Sequence, residues 1–183
     1  MTQLPTHFES GQLSATSAAR VTVVEPMARF SLRAGQGDVT AISEALDLAL
    51  PTKIGQRTKA GATEAMCLGP DEWVIIAPDS EAVRLESACT AIYDQAPHSL
   101  TAISDREITV RIDGPRAADL LTLGCPRDLD AILPNEGRRT VFDGVTVVLW
   151  RDAEQEFRLD VWRSFAPHAL SLLVTGCTEL ALE

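Results

Sequence analysis

The sequence predicts an α+β protein, because one local pattern occurs in both halves of the chain. In the first half, the turn Gly69-Pro70-Asp71-Glu72 precedes the apolar, β-branched run Trp73–Ala77, which is typical of a buried strand. In the second half, Glu107–Ile112 alternates polar and apolar residues, and Gly114-Pro115 then leads into a helical pattern. Strands that alternate with helices in this way favour mixed α+β structure.

Composition excludes several classes of function. The chain has 183 residues, of which 45% are hydrophobic and 23% charged, as in a folded domain with a buried core. The formal net charge is −10, which repels phosphate backbones, so we expect no nucleic-acid partner. The acidity serves either solubility or docking against a basic partner surface. We find no signal segment and no apolar run of bilayer length, so we expect no membrane partner.

Cysteine and histidine spacing gives no metal site. The four cysteines are far apart, no Cys-x-x-Cys pair occurs, and the three histidines are scattered. Zinc sites need closer spacing. We therefore expect free thiols and a location in the reducing cytoplasm.

The first half is predicted to begin with an arm or mobile terminus over Met1–Ala19. Alternation and β-branched content predict the following strands: Val21–Glu25, Arg29–Arg33, Ala65–Leu68 and Trp73–Ala77. A helix is predicted over Ala41–Leu50, with Thr40 or Asp38 as its N-cap and Pro51 just beyond its end.

A second helix is predicted to begin at Asp79-Ser80-Glu81, because the helix dipole stabilises carboxylates in a first turn. Pro97 ends this helix. Its inward face is expected to contain the apolar residues at helical spacing, namely Val83, Leu85, Ala88, Ile92 and Tyr93.

In the second half, the strand Glu107–Ile112 is followed by a predicted helix over Arg116–Leu123 that Gly124 caps. Asp143-Gly144 supplies the left-handed geometry of a hairpin turn. The remaining elements are, in order, a loop over Ile132–Arg139, hairpin strands over Thr140–Phe142 and Val145–Trp150, a strand over Phe157–Val161, and a final helix over Phe165–Leu173 capped by Ser164.

Motifs for known chemistry are weak or absent. The chain has no P-loop and no Gly-x-Ser-x-Gly, and Gly35-Gln36-Gly37 is only half of a dinucleotide fingerprint. Asp105, Asp113 and Asp160 are candidate acids or bases, although such carboxylates more often cap a helix, form a turn or pair with an arginine. We favour the structural interpretation for all three.

Aromatic residues offer a second set of candidates. Trp73, Trp150 and Trp162 all fall in predicted strands, where they either stack a planar ligand such as a pterin or flavin, or anchor a core or an interface. Arg163 follows Trp162 at the start of the last helix. It either binds a carboxylate there or reaches into a partner subunit.

Five short motifs carry a resemblance over about Phe30 to Leu173. They are Gly69-Pro70-Asp71-Glu72-Trp73, Ser104-Asp105-Arg106, Gly114-Pro115-Arg116-Ala117, Gly124-Cys125-Pro126 with Asp128-Leu129, and Arg163-Ser164-Phe165. In their order and spacing the chain resembles the gamma subunit family of heterotetrameric sarcosine oxidases, which is related to the folate-binding domain of the glycine-cleavage aminomethyltransferases.

This resemblance implies a subunit of a complex that converts sarcosine, oxygen and tetrahydrofolate into glycine, hydrogen peroxide and 5,10-methylenetetrahydrofolate. It implies alpha, beta and delta subunits as partners. FAD, FMN and NAD are expected on the alpha and beta subunits and zinc on the delta subunit, with no cofactor on this chain. The resemblance also implies two ferredoxin-like lobes, which we place at 1–29 plus 98–183 and at 30–97.

The chain departs from the aminomethyltransferase pattern at two places. The hairpin Phe142–Val147 lacks the paired acids of those enzymes, and Trp162-Arg163-Ser164 stands where they carry an asparagine. The resemblance therefore implies a non-catalytic assembly subunit that holds the large subunits through an acidic surface and exposed apolar anchors, with no activity as the isolated chain. The alternative is a free-standing folate-binding or aminomethyltransferase-like protein. The residues assigned to an interface or vestigial pocket are Trp73, Asp105, Arg106, Trp162 and Arg163.

Overall fold

The computed structural model describes residues 8–182, which form eleven strands and four α-helices. The strands are β1 (Gly11–Ala15), β2 (Arg20–Val23), β3 (Ala28–Ala34), β4 (Arg57–Ala60), β5 (Thr63–Gly69), β6 (Glu72–Ala77), β7 (His98–Ala102), β8 (Glu107–Asp113), β9 (Glu136–Phe142), β10 (Val145–Ala153) and β11 (Glu156–Trp162). The helices are α1 (Val39–Leu46), α2 (Ala82–Ile92), α3 (Ala117–Thr122) and α4 (Ala166–Leu180), with a short 3₁₀ turn at Asp79–Glu81. The predicted α+β class is confirmed.

One compact unit is continuous in sequence and covers Met27–Ser104. We call it the continuous unit. Its strands form one antiparallel sheet in the order β4-β5-β6-β3-β7. Apolar residues of α1 and α2 pack with one face of this sheet, and the core includes Phe30, Ile42, Trp73 and Leu85, each at most 1% exposed.

The second compact unit combines residues 8–26 with 105–182, and we call it the split unit. Its sheet has the order β1-β2-β8-β11-β10-β9, and every neighbouring pair is antiparallel. Its core joins strand residues such as Val110 and Phe157 to Leu120 of α3 and Leu173 of α4.

The boundaries of the units differ from those of the predicted lobes, of which the continuous one covered residues 30–97. The structure places them at Met27 and Ser104. The difference at the second boundary is β7, which pairs with β3 over Ala34↔His98 to Phe30↔Ala102. Because a strand belongs with the strand to which it is hydrogen-bonded, β7 is part of the continuous unit.

The predicted N-terminal arm over Met1–Ala19 is a strand in its later part. Residues 1–7 of that prediction lie outside the described residues, whereas β1 pairs with β2 and has a bulge between Gln12 and Ser14. The sequence gives no apolar alternation here because this edge strand is exposed almost throughout. Thr16 fixes its end, since its Oγ1 donates to the Cys177 carbonyl at 3.1 Å.

Two helices differ from their predicted extent. α1 ends at Leu46 rather than Leu50, because Asp47 adopts a left-handed conformation with φ 52°. Asp38 is at the N-cap without a side-chain hydrogen bond. The last helix continues to Leu180 rather than ending at Leu173.

The predicted inward face of α2 is wrong at both ends of the helix. Val83 is 73% exposed and Tyr93 54% exposed, whereas Leu85 and Cys89 are buried. Leu85 and Cys89 are four residues apart and therefore lie on the same side of the helix, so the buried face is narrower than predicted. Among the described residues, no helix is long and apolar enough to cross a membrane.

Candidate interaction surface

An exposed aromatic pair lies where β11 leads into α4. In β11, Phe157, Leu159 and Val161 are buried in the core of the split unit. Alternation directs Trp162 to the other side of the sheet, and the side chain is 42% exposed. Phe165 begins α4 as its N-cap residue and is 46% exposed, with its ring centroid 6.3 Å from that of Trp162.

Two arginines join this pair. The guanidinium of Arg106 lies 5.2 Å from the Trp162 ring centroid, which is within the range of a cation–π contact. Arg163 follows Trp162 directly, and its backbone N–H donates to the Arg106 carbonyl at 2.9 Å. We call Arg106, Trp162, Arg163 and Phe165 the Trp162 surface.

A buried carboxylate holds Arg106 in place. Glu107 is the first residue of β8 and pairs in register with Trp162. Its Oε1 accepts hydrogen bonds from Arg106 Nη2 at 2.7 Å and Nε at 3.1 Å, and its side chain is only 6% exposed. This charge-assisted pair with a buried carboxylate holds the guanidinium near the tryptophan ring.

Arg163 has an unused donor. Its side chain is partly buried, and its Nε is inaccessible to solvent and has no hydrogen-bond partner among the described residues. A buried N–H without an acceptor costs about 1–3 kcal/mol. Because this Nε is closed to solvent, an oxygen from outside reaches it only after the side chain moves.

Three of the five predicted surface residues therefore meet at one place. Arg106, Trp162 and Arg163 are in contact or adjacent, and the exposed Asp105 precedes them in the chain. Trp73 does not join them. It is fully buried in the continuous unit, where its Nε1 donates to the Pro51 carbonyl at 2.7 Å, because β6 is a central strand of its sheet.

The sequence did not single out Phe165 or Glu107 as surface or supporting residues. Phe165 has a recognisable signal, since it is an aromatic residue only three positions after Trp162 and directly before the last helix. Glu107 has none, because its role depends on the pairing of β8 with β11.

The other candidate acids have structural partners. Asp160 is 1% exposed and accepts hydrogen bonds from Trp150 Nε1 and Thr109 Oγ1, both at 2.6 Å. Asp113 lies 3.3 Å from Arg111 Nε. These contacts agree with the structural interpretation of both carboxylates.

Residues 8–182 contain no group of three His, Cys, Asp or Glu side chains arranged to hold a metal ion. All four cysteines are free and buried. Burial raises the pKa of Cys67, and it raises the pKa of Cys89 to about 11. A thiol in this state is protonated at neutral pH and is a poor nucleophile or metal ligand.

Residues 33–179 match the sarcosine oxidase, gamma subunit family. The chain belongs to this family. The matched range contains the whole Trp162 surface, and the resemblance inferred from the five motifs is confirmed.

Relatives support the assignment at the level of the whole chain. A sarcosine oxidase subunit gamma from Corynebacterium sp. (strain P-1) is 31% identical over 154 residues, which is 81% of this chain and 74% of the relative. A chain of the heterotetrameric sarcosine oxidase from Corynebacterium sp. U-96, solved in complex with pyrrole 2-carboxylate, matches with a TM-score of 0.81 and 26% identity. That match covers 93% of this chain and 89% of the other.

The predicted relation to the aminomethyltransferases is also confirmed at the level of the fold. Glycine cleavage system aminomethyltransferase T from Bartonella henselae matches with a TM-score of 0.67 and 15% identity. The match covers 87% of this chain but 46% of the enzyme. The gamma subunit family thus shares its fold with about half of a longer protein.

Proposed function

We propose that this chain is the gamma subunit of a heterotetrameric sarcosine oxidase and that its role there is structural. The observation that carries the proposal is the match to a chain of such an oxidase over 93% of this chain and 89% of the other. The partners are then alpha, beta and delta subunits. In this proposal FAD, FMN and NAD reside on the alpha and beta subunits and zinc on the delta subunit, and the complex oxidises sarcosine and passes the one-carbon unit to tetrahydrofolate.

The roles of the family motifs support a scaffold. Gly114 adopts φ +131° and packs against Ala19, the residue before β2. An added Cβ would lie 2.8 Å from the Ala19 Cα. Arg116 donates to the Leu180 carbonyl at 2.9 Å. Gly124 lies against the backbone of Asp143. These motif residues hold elements of the split unit together, so their identity is explained without chemistry on a substrate.

The Trp162 surface is the contact with a partner subunit in this proposal. Interface energy concentrates in a few residues, with Trp, Tyr and Arg over-represented among them. Trp162 and Phe165 supply exposed aromatic area, and Arg106 supplies a partly exposed guanidinium. The matching partner surface presents an apolar pocket and a carbonyl or carboxylate oxygen.

A cytoplasmic location forms part of the proposal. It rests on four buried cysteines, none of them in a disulfide, which is the state that a reducing compartment maintains.

Affinity purification tests the proposed function. The full chain, tagged and co-expressed with the other subunits of the oxidase from its own organism, should retain all three. Trp162→Ala should weaken retention by about 30-fold or more, as truncation of a central interface aromatic does. Leu133→Ala is the matched control, because Leu133 is 61% exposed in the same unit, and it should change retention less than about twofold.

Two outcomes would contradict the proposal. One is a wild-type chain that retains no other subunit. The second is tight binding of tetrahydrofolate by the lone chain in isothermal titration, together with turnover of sarcosine, which would favour the free-standing enzyme.

A further inference from the structure

The outer edge of the five-stranded sheet has no neighbouring strand. β7 lies at the end of the sheet order β4-β5-β6-β3-β7, and no strand among residues 8–182 pairs with its outer side. Ser99, Thr101 and Ala102 are exposed. An open edge of this kind is a template for the addition of another strand.

The other three sheet edges carry features that discourage strand addition. β1 has a bulge between Gln12 and Ser14. β4 contains Lys59, and β9 contains Arg138 and Arg139. Bulges and charged side chains, lysine above all, are the devices by which proteins block their edges.

β7 has none of these devices. Its sequence is His-Ser-Leu-Thr-Ala, with no proline and no Lys, Arg, Asp or Glu, and its pairing with β3 runs without a register shift. Within the described residues it is therefore the one regular and uncharged edge. Regularity matters because an added strand must match every second peptide group of the edge.

The register identifies the free peptide groups. The Ile103 N–H donates to the Arg29 carbonyl at 2.8 Å, just beyond the end of β7. Bonded and non-bonded pairs alternate along an antiparallel ladder. Odd-numbered residues of β7 therefore bond to β3, whereas the N–H and C=O groups of Leu100 and Ala102 point toward the open edge.

A groove of about 690 Å³ runs beside this edge, between β7 and α2. Its α2 side carries the carboxylates of Glu86 and Asp94 and the ring of Tyr93, which is 54% exposed and stands edge-on to His98 with 5.8 Å between centroids. The groove has no Lys or Arg among its lining residues. Its charge is complementary to a basic side chain.

We propose that β7 binds an extended segment of another oxidase subunit as a sixth strand, with a Lys or Arg side chain of that segment in the groove. This inference rests on the proposed function. Main-chain hydrogen bonds to Leu100 and Ala102 hold the segment, and the carboxylates of Glu86 and Asp94 select its charge. A second copy of this chain fits less well, because two copies paired along β7 would bring four carboxylates toward one another.

Retention of the other subunits by the tagged full chain tests this inference. Ala102→Pro removes one outward N–H from an exposed position and should lower retention at least tenfold. Ala102→Ser keeps the N–H and should remain within about twofold of wild type. The double charge reversal Glu86→Lys with Asp94→Lys should also lower retention, because it places like charges in the groove.

Hydrogen exchange provides a measurement that needs no variant. In the wild-type complex the Leu100 and Ala102 amides should exchange at least about 100-fold more slowly than in the lone chain. The Ser99 and Thr101 amides, which bond to β3, serve as the internal reference and should change much less.

The outcomes separate the two proposals. A wild-type chain that retains no subunit overturns the proposed function and this inference together. The strand addition alone is overturned if two results occur together. The Ala102→Pro chain retains the other subunits as well as wild type does, and the Leu100 and Ala102 amides of the wild-type complex stay unprotected. A dimer of the lone chain that Ala102→Pro converts to a monomer would assign the edge to a second copy and also overturn it.

Discussion

Gly124 lies where the end of α3 meets the turn between β9 and β10. The Asp143 N–H donates to its carbonyl at 2.8 Å. A Cβ on Gly124 would come within 2.9 Å of the Asp143 nitrogen and 3.0 Å of the Phe142 ring. The sequence predicts this glycine as a left-handed helix cap, but its φ is not positive. The residue is needed for a close approach between two elements, which spacing along the chain does not reveal.

Gly124→Ala should lower the free energy of unfolding by about 1–3 kcal/mol, since an added methyl group in a packed site forces its neighbours apart. Urea denaturation followed by circular dichroism measures the change. Gly37→Ala is the control, because a Cβ at the exposed Gly37 would meet nothing within 4 Å. Equal stability of the Gly124 variant and wild type would contradict the close approach.

Cys89 gives a prediction about alkaline pH. Burial raises its pKa from 9.0 to about 11 in the folded chain. The unfolded chain therefore loses this proton first, and the group's contribution to stability is present below pH 9 and lost as pH rises toward 11. Wild type should lose more stability between pH 9 and pH 11 than Cys89→Ala does. Urea midpoints at several pH values measure the difference, and parallel curves would exclude the effect.

The turn between β9 and β10 is the feature that the sequence predicts best. The strands themselves are longer than predicted, because β9 begins at Glu136, inside the predicted loop, and β10 continues to Ala153. Asp143 and Gly144 have φ of 47° and 80°, which is the geometry of the type I′ turn expected of Asp-Gly. The strand residues Phe142 and Val145 pair directly across this turn. Local chemistry is sufficient here because two adjacent residues set the whole turn.

Gly144→Val should destabilise the chain by about 1–2 kcal/mol, because a left-handed conformation is strained for a branched residue. Gly144→Asn should cost less than the valine variant, since asparagine tolerates that conformation. Thermal unfolding ranks the two variants. The reverse order would indicate that the turn is not left-handed at this position.

β1 and β7 show why other elements escape prediction. Both are edge strands with mostly exposed side chains, so neither has the apolar alternation that identifies a half-buried strand. Their pairing with β2 and β3 places them in the sheets. The exposed ends of α2 have the converse problem, because Val83 and Tyr93 are apolar without being buried.

At the scale of the whole molecule, the candidate surface was predicted in part. Arg106 and Arg163 belong to two separate motifs that resemble one family, and Trp162 is one of the three tryptophans in predicted strands, which is why the sequence indicated them. Their contact depends on the register of β8 against β11, and no local pattern encodes that register. Trp73 belongs to a motif of the same family, but its strand is central and its side chain is in a core.

The continuous unit should fold in isolation. A fragment covering residues 27–104 contains its complete five-stranded sheet and a core of its own. We expect cooperative thermal unfolding of this fragment. A fragment covering 30–97 is the matched control, since it truncates β3 and lacks β7, and it should remain unfolded. Cooperative unfolding of the shorter fragment would favour the lobe boundaries inferred from sequence.

The four buried cysteines described above have a practical consequence. Maleimide dyes attach only to accessible thiolates, so the native chain offers them almost no target. A single replacement such as Thr101→Cys would then introduce the one position that the dye labels, and the natural cysteines could all stay in place. Fluorescence energy transfer from that dye could report, molecule by molecule, when a second polypeptide arrives.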